Sequence, residues 1–243
     1  MRSVIANIKQ YIFPVISDSQ IIGTAFLCHQ GYLITCHHVV SGITEPYVDV
    51  RGELKRIVIL ASDNSTDIAI CTYDGIESED GLVLGNYDDL EEGDETIICG
   101  FPLGISYHVS HFGRVSAKQI IQGRFGIQID ASVNKGNSGS PCITATQSEI
   151  RVVGIVATRL VEADFTKISL LLREYEKANE NLSEDTRAHR TTKGIVNLFK
   201  GFAAGIIPTI LDLNRYVNVG FGEAVSIQYA KDLINTVDIS ENN

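Results

Sequence analysis

Asn134-Lys135-Gly136-Asn137-Ser138-Gly139-Ser140-Pro141 sets one serine between two glycines, and the reading of this stretch decides the fold of the chain. A serine hydroxyl is a poor nucleophile at neutral pH. It needs a base to accept its proton and fixed donors to hold the oxyanion formed on attack. Gly136 and Gly139 let the backbone turn tightly around Ser138, aiming the N–H groups of Gly136 and Ser138 at one point. Alone, such composition also makes an ordinary turn between strands. The rest of the site therefore has to be found upstream.

Six histidines are available as the base: His29, His37, His38, His108, His111 and His189. Gly31-Tyr32-Leu33-Ile34-Thr35 reads as a strand, and Cys36-His37-His38-Val39-Val40 as a tight turn leaving it, which puts His38 at a strand end where it can face a cleft. His37 points the other way in a regular turn. His108 and His111 fall on the alternating segment Tyr107 to Val115 and read as strand-face residues. The third group must orient the imidazole and stabilise its cation, which calls for a buried carboxylate. In Asn64-Ser65-Thr66-Asp67-Ile68-Ala69-Ile70-Cys71, Asp67 opens an apolar run, where an aspartate is costly unless paired. A turn-closing Asx residue is the competing reading of Asp67, and the convergence of three roles favours a triad.

These segments resemble the trypsin-like peptidases, and within them the bacterial Deg/HtrA type. Thr35-Cys36-His37-His38-Val39-Val40 resembles the family's Thr-x-x-His-Val-Val, and Thr66-Asp67-Ile68-Ala69-Ile70 its Asp-Ile-Ala-Val. Gly100-Phe101-Pro102-Leu103-Gly104 resembles the turn after the first strand of the second barrel, and Asp130 through Pro141 the nucleophile loop. The resemblance spans residues 20–160 and resumes near Val219 to Ile234. It implies His38 as general base, Asp67 as its orienting partner, Ser138 as nucleophile, and the Gly136 and Ser138 N–H groups as oxyanion donors. The implied activity is serine endopeptidase, acting on protein or peptide substrates with no cofactor and no metal, with latency until a partner triggers it as a variant; the competing reading is a catalytically silent trypsin-fold binding or scaffold protein acting through its helical insertion. Ser140 stands where the family carries a second glycine, tolerable if its φ is negative. Asn137 replaces the aspartate that digestive relatives use in their zymogen switch.

The implied fold is mostly β: two six-stranded antiparallel β-barrels, with a helical insertion in the second and a C-terminal helix. Short apolar stretches separated by Gly, Asn and Asp agree: Tyr11 to Ile16, Ile21 to Cys28, Ile57 to Leu60, Thr96 to Gly100, Arg124 to Ile129 and Arg151 to Ala157. The 243 residues are expected to form a single peptidase domain, with the first barrel at about 9–87 and the second at about 95–230. Gln228 to Val237 reads as the closing helix, and no PDZ domain is expected.

A net charge of −10 without a basic stripe speaks against nucleic-acid binding. Glu77-Ser78-Glu79-Asp80 and Asp88-Asp89-Leu90-Glu91-Glu92 read as a solvated linker, their spacing matching no EF-hand. Cys28, Cys36, Cys71, Cys99 and Cys142 are an odd set within apolar runs and read as buried thiols. With the early run Tyr11 to Ile16 too short for a secretory core, a cytoplasmic setting is expected.

Between Arg159 and Tyr216 the period changes to that of a helix. Ile168, Leu171, Leu172, Tyr175 and Ala178 recur at helical spacing, as do Ile195, Leu198, Phe199, Phe202 and Ile206 before Pro208. The run Gly201 to Leu211 is too short to cross a bilayer of about 30 Å, so no transmembrane segment is expected. This insertion, about 160–215, leaves from the strand that lines the specificity pocket in the resembled fold, and a lid or a docking surface for a regulatory protein is expected there. By the same resemblance Ser132 lies at the base of the primary pocket, Ala157, Thr158 and Arg159 form one wall, and Lys135 stands beside it. With no acidic group at Ser132, small or medium apolar side chains are the expected choice, and an acidic preference stays open if Arg159 or Lys135 turns inward.

Overall fold

The computed structural model describes residues 2–76, 80–121, 123–145, 149–157 and 220–241. The chain opens with a helix, α1 (Arg2–Lys9), and then lays down an antiparallel sheet. Its strands are β1 (Ile12–Ser17), β2 (Gln20–Leu27), β3 (Leu33–Cys36), β4 (Tyr47–Val50), β5 (Glu53–Arg56), β6 (Val58–Asp63) and β7 (Ile68–Thr72). The spatial order is β5-β4-β1-β2-β3-β7-β6. Among the described residues, thirteen strands and few helices make the chain mostly β, as expected, although this first body is a seven-stranded sheet rather than six strands.

The second body is a closed six-stranded barrel of β8 (Glu95–Gly100), β9 (Val109–Ile121), β10 (Arg124–Ile129), β11 (Pro141–Ala145), β12 (Ile150–Val156) and β13 (Gly222–Ser226). Closure in the order β10-β13-β12-β11-β8-β9 leaves no unpaired barrel edge. Both bodies belong to one compact unit of residues 1–158 and 218–243.

The packing follows from the two-residue period of a strand. On β8, Ile98 joins the barrel interior with Val115, Ile127, Ile129 and Cys142, while Ile97 and Cys99 join the cluster of the first sheet with Phe26, Ile34 and Ile70. Strand β8 is thus buried on both faces. On β12 the alternation slips: Val152 and Ile155 share one cluster and Val153 and Val156 the other, across the irregularity where Val152 and Gly154 pair with Ile143 and Cys142. Such a bulge changes the face presented downstream, toward the strand end where Val156 bonds Gly139 and Ser140.

The last helix, α3 (Gln228–Glu241), buries Ala230, Ile234 and Val237 at helical spacing and contacts β6 and β7. Between the two bodies, Leu82 bridges to Cys28 and Leu84 to Val152, and both leucines are buried. Asp80, Asp88, Asp89, Glu91 and Glu92 are exposed, as a charged linker should be, but Leu90 is buried in the barrel core. Thr158, Arg159 and the insertion expected at 160–215 lie outside the described residues.

Candidate active site

The register of β3 against β7 assembles the first half of the site. Cys36 pairs with Ile68, so the residues just past that pair, His37–His38 on one side and Asp67 on the other, must meet. After Cys36 the chain turns into a single helical turn, α2 (His37–Val40), because Val39 and Val40 are drawn into the core and His38 is left outward with 39% of its side chain exposed. Gly23 makes the room: a Cβ there would lie 2.6 Å from Val39 Cγ1.

Asp67 is buried, with φ at +62°, a left-handed conformation that aspartate tolerates because its short side chain bonds locally. Its main-chain carbonyl accepts the His37 N–H at 3.0 Å, and its Oδ1 accepts the His38 N–H at 3.0 Å. The ring Nδ1 of His38 lies 3.0 Å from Oδ1 and 2.8 Å from Oδ2. A carboxylate removed from water in this way is tolerable only when partnered. From the barrel, the buried Arg124 donates from Nη1 to the Thr66 carbonyl at 2.9 Å, fixing the loop that carries Asp67.

Ser138 sits on the loop between β10 and β11 and is buried. Asn137 N–H donates to the Asn134 carbonyl at 2.9 Å, closing a turn with Gly136 third at φ +96°, the arrangement of a type II turn. A Cβ on Gly136 would fall 2.4 Å from the Phe101 carbonyl oxygen, so the loop lies flat against the Phe101–Leu103 backbone. There Leu103 N–H donates to the Lys135 carbonyl at 2.6 Å. In a planar trans peptide the next N–H points the opposite way, which turns the Gly136 N–H away from Leu103.

Downstream, the Gly139 N–H donates to the Val156 carbonyl and the Val156 N–H to the Ser140 carbonyl. Ser140 keeps a negative φ, and its Oγ occupies the space a Cβ on Gly100 would take, 2.0 Å from that point. The departure from glycine at 140 is thus accommodated by a glycine at 100.

The histidine side and the serine side converge at Gly23. The point where its Cβ would sit is 2.6 Å from Val39 Cγ1 and 3.3 Å from the Ser138 carbonyl oxygen. Thr24, the next residue, donates its N–H to that carbonyl at 2.8 Å. Of the other predicted residues, Ala157 is buried with its N–H on the Glu223 carbonyl, whereas Ser132 and Lys135 are exposed. Thr24, Arg124 and the Leu103 N–H were not anticipated. Each acts on backbone atoms distant in sequence, for which a single chain carries no signal.

Cys36 Sγ, a His38 ring nitrogen and an Asp67 oxygen lie within 4.8 Å of one another, a donor set of metal-ligand type. Asp67 is engaged by His38, and Sγ donates to the Val156 carbonyl at 3.2 Å.

Residues 23–155 match the trypsin-like peptidase domain family. The chain belongs to that family. It is 31% identical over 160 residues to the magnetosome formation protease MamE of Magnetospirillum gryphiswaldense, covering 61% of this chain and 20% of that protein. With the probable periplasmic serine endoprotease DegP-like of Chlamydia trachomatis it shares 34% over 137 residues, 54% of this chain and 27% of the relative. The serine protease Do-like HtrB of Bacillus subtilis is 26% identical over 179 residues, 68% of this chain and 38% of its own length. The chain therefore spans well under half of the curated relatives it matches. Among solved structures, the HtrA-type protease AlgW with a bound tripeptide superposes with a TM-score of 0.65 at 19% identity, over 97% of this chain and 62% of AlgW. Rv3671c of M. tuberculosis gives 0.60 at 16%, over 97% and 90%. These likenesses carry the fold.

The cytoplasmic setting expected from the cysteines is overturned, because trypsin-like relatives are named as periplasmic endoproteases and as a magnetosome protease. The physical reason lies in the thiols. All five are buried, and burial pushes those of Cys71 and Cys142 up to about 12. A thiol so protonated and enclosed is inert to oxidation in any compartment, so it carries no record of one. Among the described residues, no helix is long and apolar enough to cross a membrane.

Proposed function

We propose that this chain is the peptidase domain of a serine endopeptidase, a single domain in which Ser138 is the nucleophile, His38 the general base and Asp67 its orienting acid. The observation that carries the reading is the buried Asp67 carboxylate held against His38 Nδ1 at 2.8 Å. That bond fixes the proton on Nδ1 and leaves Nε2 to accept from Ser138. Ser138 Oγ then attacks the peptide carbonyl while His38 takes its proton. The imidazolium is stabilised by Asp67, and the Gly136 and Ser138 N–H groups hold the oxyanion. His38 returns the proton to the leaving amine, and water, activated by the same histidine, hydrolyses the acyl-enzyme.

The substrate is a protein or peptide segment with a small or medium apolar residue at the cleavage point. Ser132 brings no charge to the pocket it is proposed to floor, so substrates with Val, Ala or Leu are expected to outpace those with Arg, and a library profile led by Arg or Lys would refute this. In its finer form the reading includes latency relieved by a regulatory protein at residues 160–215, and deletion of 163–212 without effect on turnover or binding would remove it. An extracytoplasmic setting, like that of the DegP-like relatives, completes the proposal.

The experiment is fluorophosphonate labelling of the purified protein, read by intact mass beside Ser138→Ala and His38→Ala. One adduct, lost in both variants, supports the triad. An adduct that survives Ser138→Ala, or none in the presence or absence of cell extract, sinks it.

A further inference from the structure

Thr24 makes two hydrogen bonds to the nucleophile loop and two more around it, although it belongs to the other sheet. Its N–H donates to the Ser138 carbonyl at 2.8 Å. Its hydroxyl donates to the Gly136 carbonyl at 2.7 Å and accepts the Phe101 N–H at 3.1 Å. Its own carbonyl accepts the Thr35 hydroxyl at 2.7 Å, and Thr35 stands on β3 three residues before His38. Thr24 and Thr35 are both wholly buried. A Cβ on Gly139 would lie 2.0 Å from the Thr24 carbonyl oxygen and 2.4 Å from Thr35 Oγ1, so this contact also accounts for glycine at 139.

The consequence falls on the peptide planes around Gly136. Two carbonyls flank that residue, and each has one donor: Leu103 N–H for Lys135 and Thr24 Oγ1 for Gly136. With each peptide planar, holding the oxygens holds the N–H groups in the opposite direction. Glycine itself offers little resistance to rotation, since it has no Cβ to restrict φ and ψ. The Leu103 bond holds the Lys135–Gly136 plane, which carries the Gly136 N–H, and the Thr24 bond holds the next plane, Gly136–Asn137, so that together they fix both sides of the glycine. Buried in low dielectric, a neutral hydroxyl–carbonyl bond is costly to leave unmade.

We infer that Thr24 is a positioning residue of the oxyanion hole, its hydroxyl acting as the clamp that holds the Gly136–Asn137 peptide, keeps Gly136 from pivoting about its own backbone bonds, and couples it to the strand that leads to His38. The inference rests on the peptidase reading above for its kinetic consequence and on geometry alone for its structural one. Thr24→Val keeps the branched shape and the backbone N–H while removing only the hydroxyl. Thr24→Ser keeps the hydroxyl.

The test uses the whole chain and a chromogenic peptide substrate, with melting temperatures recorded for each variant. Thr24→Val is expected to lower kcat by about 10²-fold, the scale of a lost oxyanion donor, with KM within about threefold. Thr24→Ser should recover most of the rate. A peptide aldehyde, which forms a tetrahedral adduct, should lose affinity in step with kcat, whereas a merely structural role would leave it bound in proportion to the folded fraction. Turnover of folded Thr24→Val within twofold of the original, or equal impairment of Thr24→Ser, would overturn the inference. A crystal structure of Thr24→Val decides the geometric claim even if the original chain proves inert. A rotated Lys135–Gly136 or Gly136–Asn137 peptide supports it, and an unmoved loop refutes it.

Discussion

Asp67 holds His38 at two points, accepting the backbone N–H on Oδ1 at 3.0 Å and facing the ring Nδ1 from Oδ2 at 2.8 Å. The first bond fixes where the residue stands and the second how its ring is turned. Asp67→Asn separates charge from shape, because asparagine also accepts a φ of +62°. Its amide can donate to Nδ1, which drives the ring proton to Nε2 and removes the acceptor that Ser138 needs. Under the proposed mechanism kcat falls about 10⁴-fold while the melting temperature stays within a few degrees. Steady-state hydrolysis beside a thermal melt checks both, and a variant within tenfold of the original would remove Asp67 from the orienting role.

Gly136 and Gly42 both have positive φ, at +96° and +75°, but only Gly136 has neighbours where a Cβ would go. At Gly136 that atom would meet the Phe101 carbonyl oxygen at 2.4 Å and the Leu103 nitrogen at 3.2 Å, both of them backbone atoms with little freedom to move. Gly42→Ala is therefore expected to cost about 1 kcal/mol from backbone strain alone and to leave turnover unchanged. Gly136→Ala should push the loop off the Phe101–Leu103 turn and cut kcat at least about 10²-fold. Comparing kcat of the two variants with their unfolding free energies separates strain from misalignment.

The residues proposed as a triad and most strands stand out in the sequence because their signals are local. Apolar alternation marks β1, β2, β8, β10 and β12, and the aspartate before Ile68 stands out for its cost in a buried run. The β4–β5 hairpin was not legible: Glu53-Leu54-Lys55-Arg56 is exposed on both faces, so no buried pattern announces a strand. Helix α1 is similarly hidden, since its anchor is the single buried Ile8. Thr24 and Arg124 escaped for a different reason. Each bonds backbone carbonyls of a segment 112 and 58 residues away, respectively, and nothing in the identity of a threonine or an arginine names such a partner. The compartment was misread because buried thiols are silent about their surroundings.

His111, opposite Ile98 on β9, has its Nε2 buried with no hydrogen-bond partner among the described residues, and burial lowers its pKa below the ordinary 6.5. The folded state therefore disfavours the imidazolium. Above pH 6.5 the ring is neutral folded or unfolded and pH has no effect through it. As pH falls below 6.5 the unfolded chain takes up the proton first, so stability declines until pH reaches the lowered folded value. His111→Gln removes this dependence. Urea unfolding at pH 7.5, 6 and 5 should show a smaller loss of midpoint on acidification for the variant, by about a tenth to a few tenths molar. Parallel pH profiles for the two proteins would contradict the assignment.

Gly100 and Ser140 share one space: the Ser140 hydroxyl lies where a side chain on residue 100 would begin, and it makes no hydrogen bond among the described residues. Gly100→Ala alone overpacks this spot, with the new Cβ 2.0 Å from Ser140 Oγ, and is expected to cost about 1–3 kcal/mol. Ser140→Gly alone removes a buried hydroxyl that has no partner among the described residues, offset by the greater freedom of glycine in the unfolded chain, and should change stability by less than about 1 kcal/mol. The two together relieve the clash. Their double-mutant cycle is expected to show a favourable coupling of about 1 kcal/mol or more. Recovery should remain partial, because Thr24 Oγ1 and Asn137 Oδ1 lie 2.9 and 3.1 Å from the same point. Strict additivity in denaturant unfolding would mean that serine at 140 owes nothing to glycine at 100, and that the loop tolerates it for another reason.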